Sequence, residues 1–209
     1  MKNMSRIVPL KISCQSDLFK RIIPFLLIAL LFVLTYHKSL FAGDVPVSDV
    51  PNRYGMTVVT GNSYDPKNDI TFVQISGFAL FDHAKLFRHK APEALRFKIE
   101  GSMGSMTRPE KRLIVSANIL SLYYINALTT KTFKPYVEGG IGAIYMDYTV
   151  EGQGARFNFN PQLGIGTEIN TASGNLFLMA LRLYHVSNAG LNKENRGLNA
   201  ITLHIGRFF

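Results

Sequence analysis

Apolar and polar side chains alternate along residues 176–190, which read LFLMALRLYHVSNAG. This alternation predicts a β-strand with one apolar face, because side chains in a strand point to opposite faces with a period of two. The apolar positions on that face are Phe177, Met179, Leu181 and Leu183. The same face continues into His185 and Ser187, so the strand carries a base and a hydroxyl at the end of an apolar surface.

Turn residues divide the chain after residue 50 into segments of strand length, and we predict eight strands. Several are longer than ten residues, as a tilted membrane-spanning strand requires. Glycines inside two of the segments suit the bends and the crowded interior of a small barrel. The predicted strands are Tyr54–Gly61, Asp69–Phe81, Leu95–Met106, Arg112–Tyr124, Phe133–Tyr148, Arg156–Ile169, Asn175–Ala189 and Leu198–Phe209.

The last strand has the clearest pattern. One face carries Ile201, Leu203 and Ile205, and the chain stops at Phe208-Phe209. A terminal strand that ends in an aromatic residue resembles the C-terminal signature of bacterial outer-membrane barrels; the alternative is a strand of a soluble sandwich. The chain is 47% hydrophobic, with nine Tyr and fifteen Phe. We therefore predict an all-β fold, an eight-stranded antiparallel transmembrane β-barrel of the outer membrane.

The N-terminal residues predict a secretory signal peptide. Basic residues precede an apolar run over Ile22–Leu34, which is too short for a transmembrane helix of about 20 residues. Small residues follow at Ala42 and Gly43. The cleavage site is imperfect, because a cut after Ala42 would put Leu40, rather than a small residue, at the minus-three position. We expect a signal peptide at residues 1–42 and a barrel domain at 43–209; the alternative is an uncleaved membrane anchor.

Removal of the signal peptide changes what the composition implies. It would lower the formal charge from +9 to +4, because residues 1–42 hold six Lys or Arg and one Asp. The basicity then gives little support to a nucleic-acid partner, and none is expected. Cys14, the one cysteine, would leave with the signal peptide, so no disulfide or thiolate chemistry is expected. No spacing indicates a metal site, and we expect no cofactor.

The pair His185 and Ser187 predicts nucleophilic catalysis. A serine hydroxyl needs a base to take its proton, and the base needs a third group to orient it. Asn199 has the same parity as the apolar face of the last strand, so a hairpin would bring it near His185. Polar groups on a lipid-directed face are expensive, which favours a functional role over the alternative of two interfacial polar residues. If the first strand runs outward, this site lies at the outer leaflet.

The heptad His-Val-Ser-Asn-Ala-Gly-Leu at residues 185–191, with Arg182 before it, resembles the signature of the PagL-type lipid A 3-O-deacylases. Residues 133–142 are similar to that family's fifth strand, and Phe157–Glu168 to its sixth. The resemblance covers residues 54–209. It implies an eight-stranded outer-membrane barrel that hydrolyses the ester at position 3 of lipid A. It also implies a Ser-His-Glu triad on the barrel's outer surface and no metal.

One position departs from the family, because Asn199 stands where the family has its glutamate. An asparagine can accept a hydrogen bond from the imidazole but lacks the full charge. The arrangement resembles the Ser-His-Asn triad of the outer-membrane phospholipase A family, a larger, calcium-dependent barrel. Glu194 is the alternative third member. The candidate donors to an oxyanion are Asn188, Asn195, Ala189 and Gly190, whose alternative role is loop formation.

We therefore predict an outer-membrane serine esterase that acts on lipid A or lipopolysaccharide through Ser187, His185 and Asn199. The alternatives are a phospholipase or lysophospholipase on the same scaffold and a non-enzymatic structural or adhesion barrel. The sequence leaves a homodimer open. Inside the barrel we expect His204 to be packed, and Arg182 and Glu168 to form a polar network with Gln162 and Tyr184 as neighbours.

Overall fold

The structure, a computed structural model, describes residues 51–66, 70–83 and 91–209. The predicted signal peptide at residues 1–42, with Cys14, lies outside the described residues. Within these ranges nine strand segments follow one another, with one 3-10 turn, Asn126–Leu128, before the fifth. The segments are β1 (Arg53–Asp65), β2 (Thr71–Asp82), β3 (Leu95–Arg108), β4 (Leu113–Tyr124), β5 (Phe133–Met146), β6 (Phe157–Phe159), β7 (Gln162–Asn170), β8 (Leu176–Val186) and β9 (Leu198–Phe208).

The strands form one closed antiparallel barrel. The pairing order runs β4-β3-β2-β1-β9-β8-β7-β5, and β4 also pairs with β5, which closes the ring. The short β6 pairs with the same strand as β7, so the two together fill one place in the ring. The barrel therefore has eight strand positions, and the predicted fold class is confirmed. Closure removes every unpaired sheet edge, as a membrane-spanning sheet requires.

Two predicted strands differ from the observed ones in a way that shapes the site. The predicted sixth strand is interrupted at Asn160 and Pro161, because proline has no N–H to donate to a ladder. The predicted seventh strand ends three residues earlier than expected, at Val186. Ser187 then pairs with Phe159 in an isolated antiparallel bridge.

The barrel interior has two apolar layers with a polar layer between them. We call the end of the barrel that carries Ser187 the upper end. The upper apolar layer includes Phe72, Ile114, Met146 and Val186, and the lower one includes Phe78, Leu122, Tyr136 and Phe208. The buried polar side chains between them include Gln74, Lys98, Glu100, Asn118, Glu138, Gln162, Arg182 and His204. The lumen is thus filled by side chains, as the small diameter of an eight-stranded barrel predicts.

The predicted polar network exists, but its pairing differs from the expectation. Arg182 binds Glu100 and Glu138, and its Nη1 donates to Gln162 at 3.0 Å. Glu168 belongs to a separate group at the lower end, where it pairs with Arg53 at 2.8 Å and accepts from Tyr124. The acidic partners of Arg182 lie on β3 and β5, and the partners of Glu168 lie on β1 and β4. Strand parity shows which residues point inward, but not which of them lie at the same height in the barrel. His204 is buried in the lumen, as predicted.

The outer face is apolar between two belts of aromatic residues. Outward positions at mid-height carry exposed apolar side chains such as Val58, Ile75, Ile119, Ile165 and Leu181. Tyr54, Tyr123, Phe133 and Phe177 lie at the lower rim, and Tyr64, Tyr145 and Phe157 lie at the upper rim. This arrangement matches the lipid-facing band and aromatic girdles of outer-membrane barrels. Among the described residues no helix is both long and apolar enough to cross a membrane.

Candidate active site

Ser187, His185 and Asn199 form one hydrogen-bonded chain on the outer wall of the barrel. The Oγ of Ser187 lies 3.0 Å from Nε2 of His185. The Nδ1 of the same ring lies 2.6 Å from Oδ1 of Asn199. Both ring nitrogens of His185 are therefore occupied, one by the hydroxyl and the other by the amide. This is the order of contacts that activates a serine nucleophile.

Strand pairing holds the three side chains in place. His185 and Asn199 are direct partners across the β8–β9 ladder, which keeps the amide beside the ring. Ser187 follows the last residue of β8, and its backbone exchanges two hydrogen bonds with Phe159 of β6. The N–H of His185 donates to the carbonyl of Pro161 at 3.1 Å. The break between β6 and β7 thus leaves the backbone of both residues anchored to a neighbouring segment.

Asp65 adds one more hydrogen bond to the series that joins Ser187, His185 and Asn199. Asp65 is not among the site residues predicted from the sequence. The Nδ2 of Asn199 donates to Oδ2 of Asp65 at 3.1 Å. By strand parity Asp65 would face the lumen, because Ser63 and the alternate residues before it are buried. The ladder between β1 and β9 shifts register between Ser63 and Asp65, so Tyr64 is an extra residue. This β-bulge turns Asp65 to the outer face.

Gly197 gives the imidazole its space. A Cβ built on Gly197 would lie 2.5 Å from Cε1 of His185 and 3.3 Å from each ring nitrogen. No side chain fits at that distance unless the ring or the backbone moves. The backbone of the β8–β9 connection therefore packs directly on the imidazole of His185, which is a second feature that strand periodicity could not reveal.

Asn188 organises the loop that follows the serine. Its Nδ2 donates to the carbonyl oxygens of Gln153 and Glu194, and its Oδ1 accepts from the N–H of Gly190. Both side-chain hydrogens of Asn188 are thus used within the protein. The backbone N–H of Asn188 donates to Oδ1 of Asn195 at 2.8 Å. Asn188 is 1% exposed, as a side chain that ties together two loops should be.

The other candidate oxyanion donors differ in what they have left to donate. The N–H of Gly190 is used by Asn188, whereas the described residues offer no acceptor to the N–H of Ala189. Ala189 has a φ of 55°, in the left-handed region that non-glycine residues rarely adopt. Asn195 uses its Oδ1 as an acceptor, and its Nδ2 has no partner within the part of the chain that the structure describes. Within the described residues, free donors therefore remain on Ala189, two residues after Ser187, and on Asn195, which binds the N–H of Asn188.

Glu194, the alternative third member, lies on the exposed loop between β8 and β9. Its backbone N–H donates to Oδ1 of Asn192 and its carbonyl accepts from Asn188. The position beside Nδ1 of His185 is occupied by Asn199. The structure thus brings Asn199 to the imidazole of His185 through strand pairing, and it uses the Glu194 backbone in hydrogen bonds of the loop.

The site lies at the upper rim of the apolar band. Two residues below His185 and Asn199 along the ladder, Leu183 pairs with Ile201, and both side chains are exposed on the outer face. Two residues of the upper aromatic belt lie at the same level as the site. Tyr64 directly precedes Asp65, and Phe157 belongs to β6, which pairs with Ser187 through Phe159. The polar chain therefore stands where an apolar surface meets the membrane–water interface.

Comparison with known proteins agrees with this architecture. The crystal structure of the outer membrane enzyme PagL matches with a TM-score of 0.51 and 20% identity, covering 73% of this chain and 97% of that one. The crystal structure of Neisserial surface protein A matches with a TM-score of 0.50 and 11% identity, covering 75% and 94%. At such identities these two structures show the fold alone.

The family comparison reaches further than the structural one. No curated protein matches the chain. The family model of PagL, described as lipid A 3-O-deacylase, matches residues 83–207. That range is more than half of the 209 residues, and it includes Ser187, His185 and Asn199. The chain belongs to the PagL family of lipid A 3-O-deacylases.

Proposed function

We propose that this outer-membrane protein is a serine esterase that removes the 3-O-linked acyl chain of lipid A, with Ser187 as nucleophile, His185 as base and Asn199 as the third member. The observation that carries the proposal is the 3.0 Å contact between the hydroxyl of Ser187 and Nε2 of His185 on the lipid-facing wall. Family membership supports the substrate and the class of bond, and the hydrogen-bonded chain supports the roles of the residues.

The reaction takes two steps. His185 accepts the proton of Ser187 at Nε2 while Oγ attacks the acyl carbonyl, and the sugar oxygen leaves with that proton. The product is an acyl ester of Ser187. Water then loses a proton to His185 and attacks the same carbonyl, which releases the fatty acid and restores the serine hydroxyl. Asn199 holds the Nδ1–H of the ring through its Oδ1, so the lone pair of Nε2 faces the attacking group before each of the two proton transfers.

The developing oxyanion requires donors that are already aimed at it. Ala189 N–H and the Nδ2 of Asn195 are the candidates with hydrogens left to give. Asn188 and Gly190 contribute indirectly, because their mutual hydrogen bond shapes the turn after Ser187. The positive φ of Ala189 is consistent with a backbone held in a costly conformation at a functional site.

The location suits a lipid ester. Leu183 and Ile201 form an apolar surface directly below the polar chain. An acyl chain can lie along that surface in the hydrocarbon while its ester group reaches the interface beside Ser187. The barrel wall then presents the nucleophile without any opening of the filled lumen.

A product-resolved assay tests the proposal. The folded protein is incubated in mixed micelles with lipid A and, separately, with phosphatidylethanolamine. The products are identified by mass spectrometry. We expect loss of one hydroxyacyl chain from position 3 of lipid A and little turnover of the phospholipid. Turnover of phosphatidylethanolamine alone would replace the proposal by a phospholipase. Failure with both lipids by folded protein would favour a non-enzymatic barrel.

The third member can be identified by comparing two substitutions. Asn199→Ala removes the acceptor at Nδ1 of His185, and we expect kcat to fall about 100-fold or more, because the ring can then adopt the wrong tautomer. Glu194→Ala removes an exposed carboxylate from the loop and should leave kcat within about threefold of the wild-type value. Deacylation rates in micelles measure both. A larger loss in the Glu194 variant would transfer the role to Glu194.

The packing of Gly197 on the base gives a third prediction. Gly197→Ala places a methyl carbon 2.5 Å from Cε1 of His185, so the ring or the backbone beside it must shift, and the contact of the ring with Ser187 is disturbed. We expect kcat to fall about 10- to 100-fold, since a displacement near 1 Å is enough for such a loss. Gly77→Ala is the matched control, because a Cβ at that position meets nothing within 4 Å. Equal rates for the two variants would show that the ring tolerates the displacement.

A further inference from the structure

Asp65 is the end of the hydrogen-bonded chain and the one acidic group in it. Its Oδ2 accepts from Nδ2 of Asn199 at 3.1 Å, across 134 positions of sequence. The other oxygen, Oδ1, lies 3.9 Å from Nη2 of Arg196. Both of those side chains are about half exposed, so that ion pair contributes little to stability. The contact with Asn199 is therefore the one that has consequences for the site.

The contact fixes which way the amide of Asn199 points. A carboxylate can only accept hydrogen bonds, so the NH₂ group of Asn199 must face Asp65. The Oδ1 of Asn199 must then face His185, and it can only accept. This requires the proton of the neutral imidazole to be on Nδ1. Nε2 is left with its lone pair toward Ser187, which is the form that a general base needs.

Without Asp65, the amide could turn by half a rotation. Its NH₂ group would then face Nδ1 of His185 and would favour the tautomer that carries the proton on Nε2. In that tautomer Nε2 cannot accept the proton of Ser187. An asparagine at the third position is thus ambiguous by itself, whereas a glutamate there is not, because both of its oxygens accept.

We propose that Asp65 is a positioning residue that locks Asn199 and, through it, the catalytic tautomer of His185. It also supplies the negative charge that the third position lacks, two hydrogen bonds away from the ring. The series of hydrogen bonds then runs from Asp65 through Asn199 and His185 to Ser187. Asp65 and Asn199 together orient the ring, as a single carboxylate at the third position would. This inference rests on the proposed function, and it adds a residue from β1 to a site otherwise built from β8, β9 and the loop between them.

The test uses two readouts on the full-length protein in detergent micelles. One is the rate at which a fluorophosphonate labels Ser187, which reports activation of the serine whatever the natural substrate is. The other is deacylation of lipid A. Asp65→Asn is nearly isosteric but no longer forces the orientation of Asn199, and we expect both rates to fall roughly 10- to 100-fold. Asp65→Glu keeps a carboxylate at an exposed position and should retain rates within about fivefold of wild type.

Two further variants separate positioning from a structural role. Asp147→Asn is the matched control, since Asp147 is also a partly exposed carboxylate, 32% exposed, that binds an arginine at the upper end of the barrel. It should keep both rates. In the Asn199→Glu background, the ring is oriented by a carboxylate directly, and a second carboxylate beside it is repulsive. Asp65→Asn should therefore be neutral or increase the rates in that background, whereas a structural role would cause the same loss in both.

The outcomes distinguish this inference from the function on which it rests. Deacylation by wild type, with equal rates for Asp65→Asn, would overturn the role of Asp65 alone. Equal losses in Asp65→Asn and Asp65→Glu, or the same loss in both backgrounds, would also overturn it. Labelling that depends on Asp65 without deacylation of lipid A would support the role of Asp65 and contradict the substrate. Wild-type protein that is folded and is not labelled would overturn both.

Discussion

Ser187→Ala is expected to reduce lipid A deacylation by a factor on the order of 10⁴ to 10⁶, a larger loss than those expected for Asn199→Ala and Gly197→Ala. Removing the nucleophile of a triad costs almost as much as removing the whole triad, because the base and its orienting group act through the nucleophile. Among the residues that the structure describes, the hydroxyl of Ser187 hydrogen-bonds to one side chain, at Nε2 of His185. The loss should therefore appear in kcat, with little change in the stability of the barrel.

Ser121→Ala is the matched control for that experiment. Ser121 faces outward on β4, on the same lipid-directed surface but near the lower end of the strand. It should retain the wild-type rate. Folding of both variants can be followed by the migration of unheated barrels in SDS gels. Deacylation by folded Ser187→Ala at more than about a tenth of the wild-type rate would show that another group is the nucleophile.

Arg182→Met is expected to lower the free energy of unfolding by about 3–5 kcal/mol, the largest stability effect predicted here. The guanidinium is 1% exposed and donates to Glu138 at 2.7 Å and to Glu100 at 2.8 Å. Without it, two buried carboxylates would share Lys98, whose Nζ lies 2.7 Å from Glu138 and 3.7 Å from Glu100. An unpaired carboxylate in the lumen is costly because burial removes its hydration.

Arg156→Met provides the comparison, because Arg156 is 59% exposed and makes an ion pair with Asp147 at 2.8 Å. Such surface pairs contribute about 0–1 kcal/mol. Urea unfolding in lipid vesicles, followed by tyrosine fluorescence, measures both variants. If Arg182→Met unfolded at the same urea concentration as Arg156→Met, water or rearranged side chains would have to compensate the two carboxylates.

The sequence predicted the barrel because a lipid-facing barrel strand carries the simplest of all patterns. Apolar outward positions alternate with smaller or polar inward ones, and each strand repeats the pattern independently of its partners. The pairing of His185 with Asn199 was predictable for the same reason, since both belong to adjacent strands joined by one loop. Parity and a hairpin were sufficient to bring these two side chains together.

Other features depend on contacts between distant segments, which periodicity does not encode. Asp65 reaches the site because the first and last strands pair. The bulge at Tyr64 then turns the side chain of Asp65 from the lumen to the outer face. Parity would place Asp65 in the lumen. The placement of Ser187 beside Phe159 depends on the break at Pro161. The partners of Arg182 lie on three other strands, β3, β5 and β7, and depend on which inward positions of those strands share its level.

The outward direction of Ser187 also determines which substrate concentration controls the reaction rate. If Ser187 is the nucleophile, as proposed, its position on the lipid-facing wall means that it encounters molecules that diffuse laterally in two dimensions, rather than molecules that arrive through bulk solution. The turnover rate should then follow the mole fraction of substrate in the micelle or bilayer. Diluting the membrane with inert amphiphile would slow the reaction, whereas enlarging the aqueous volume around the same membrane would not.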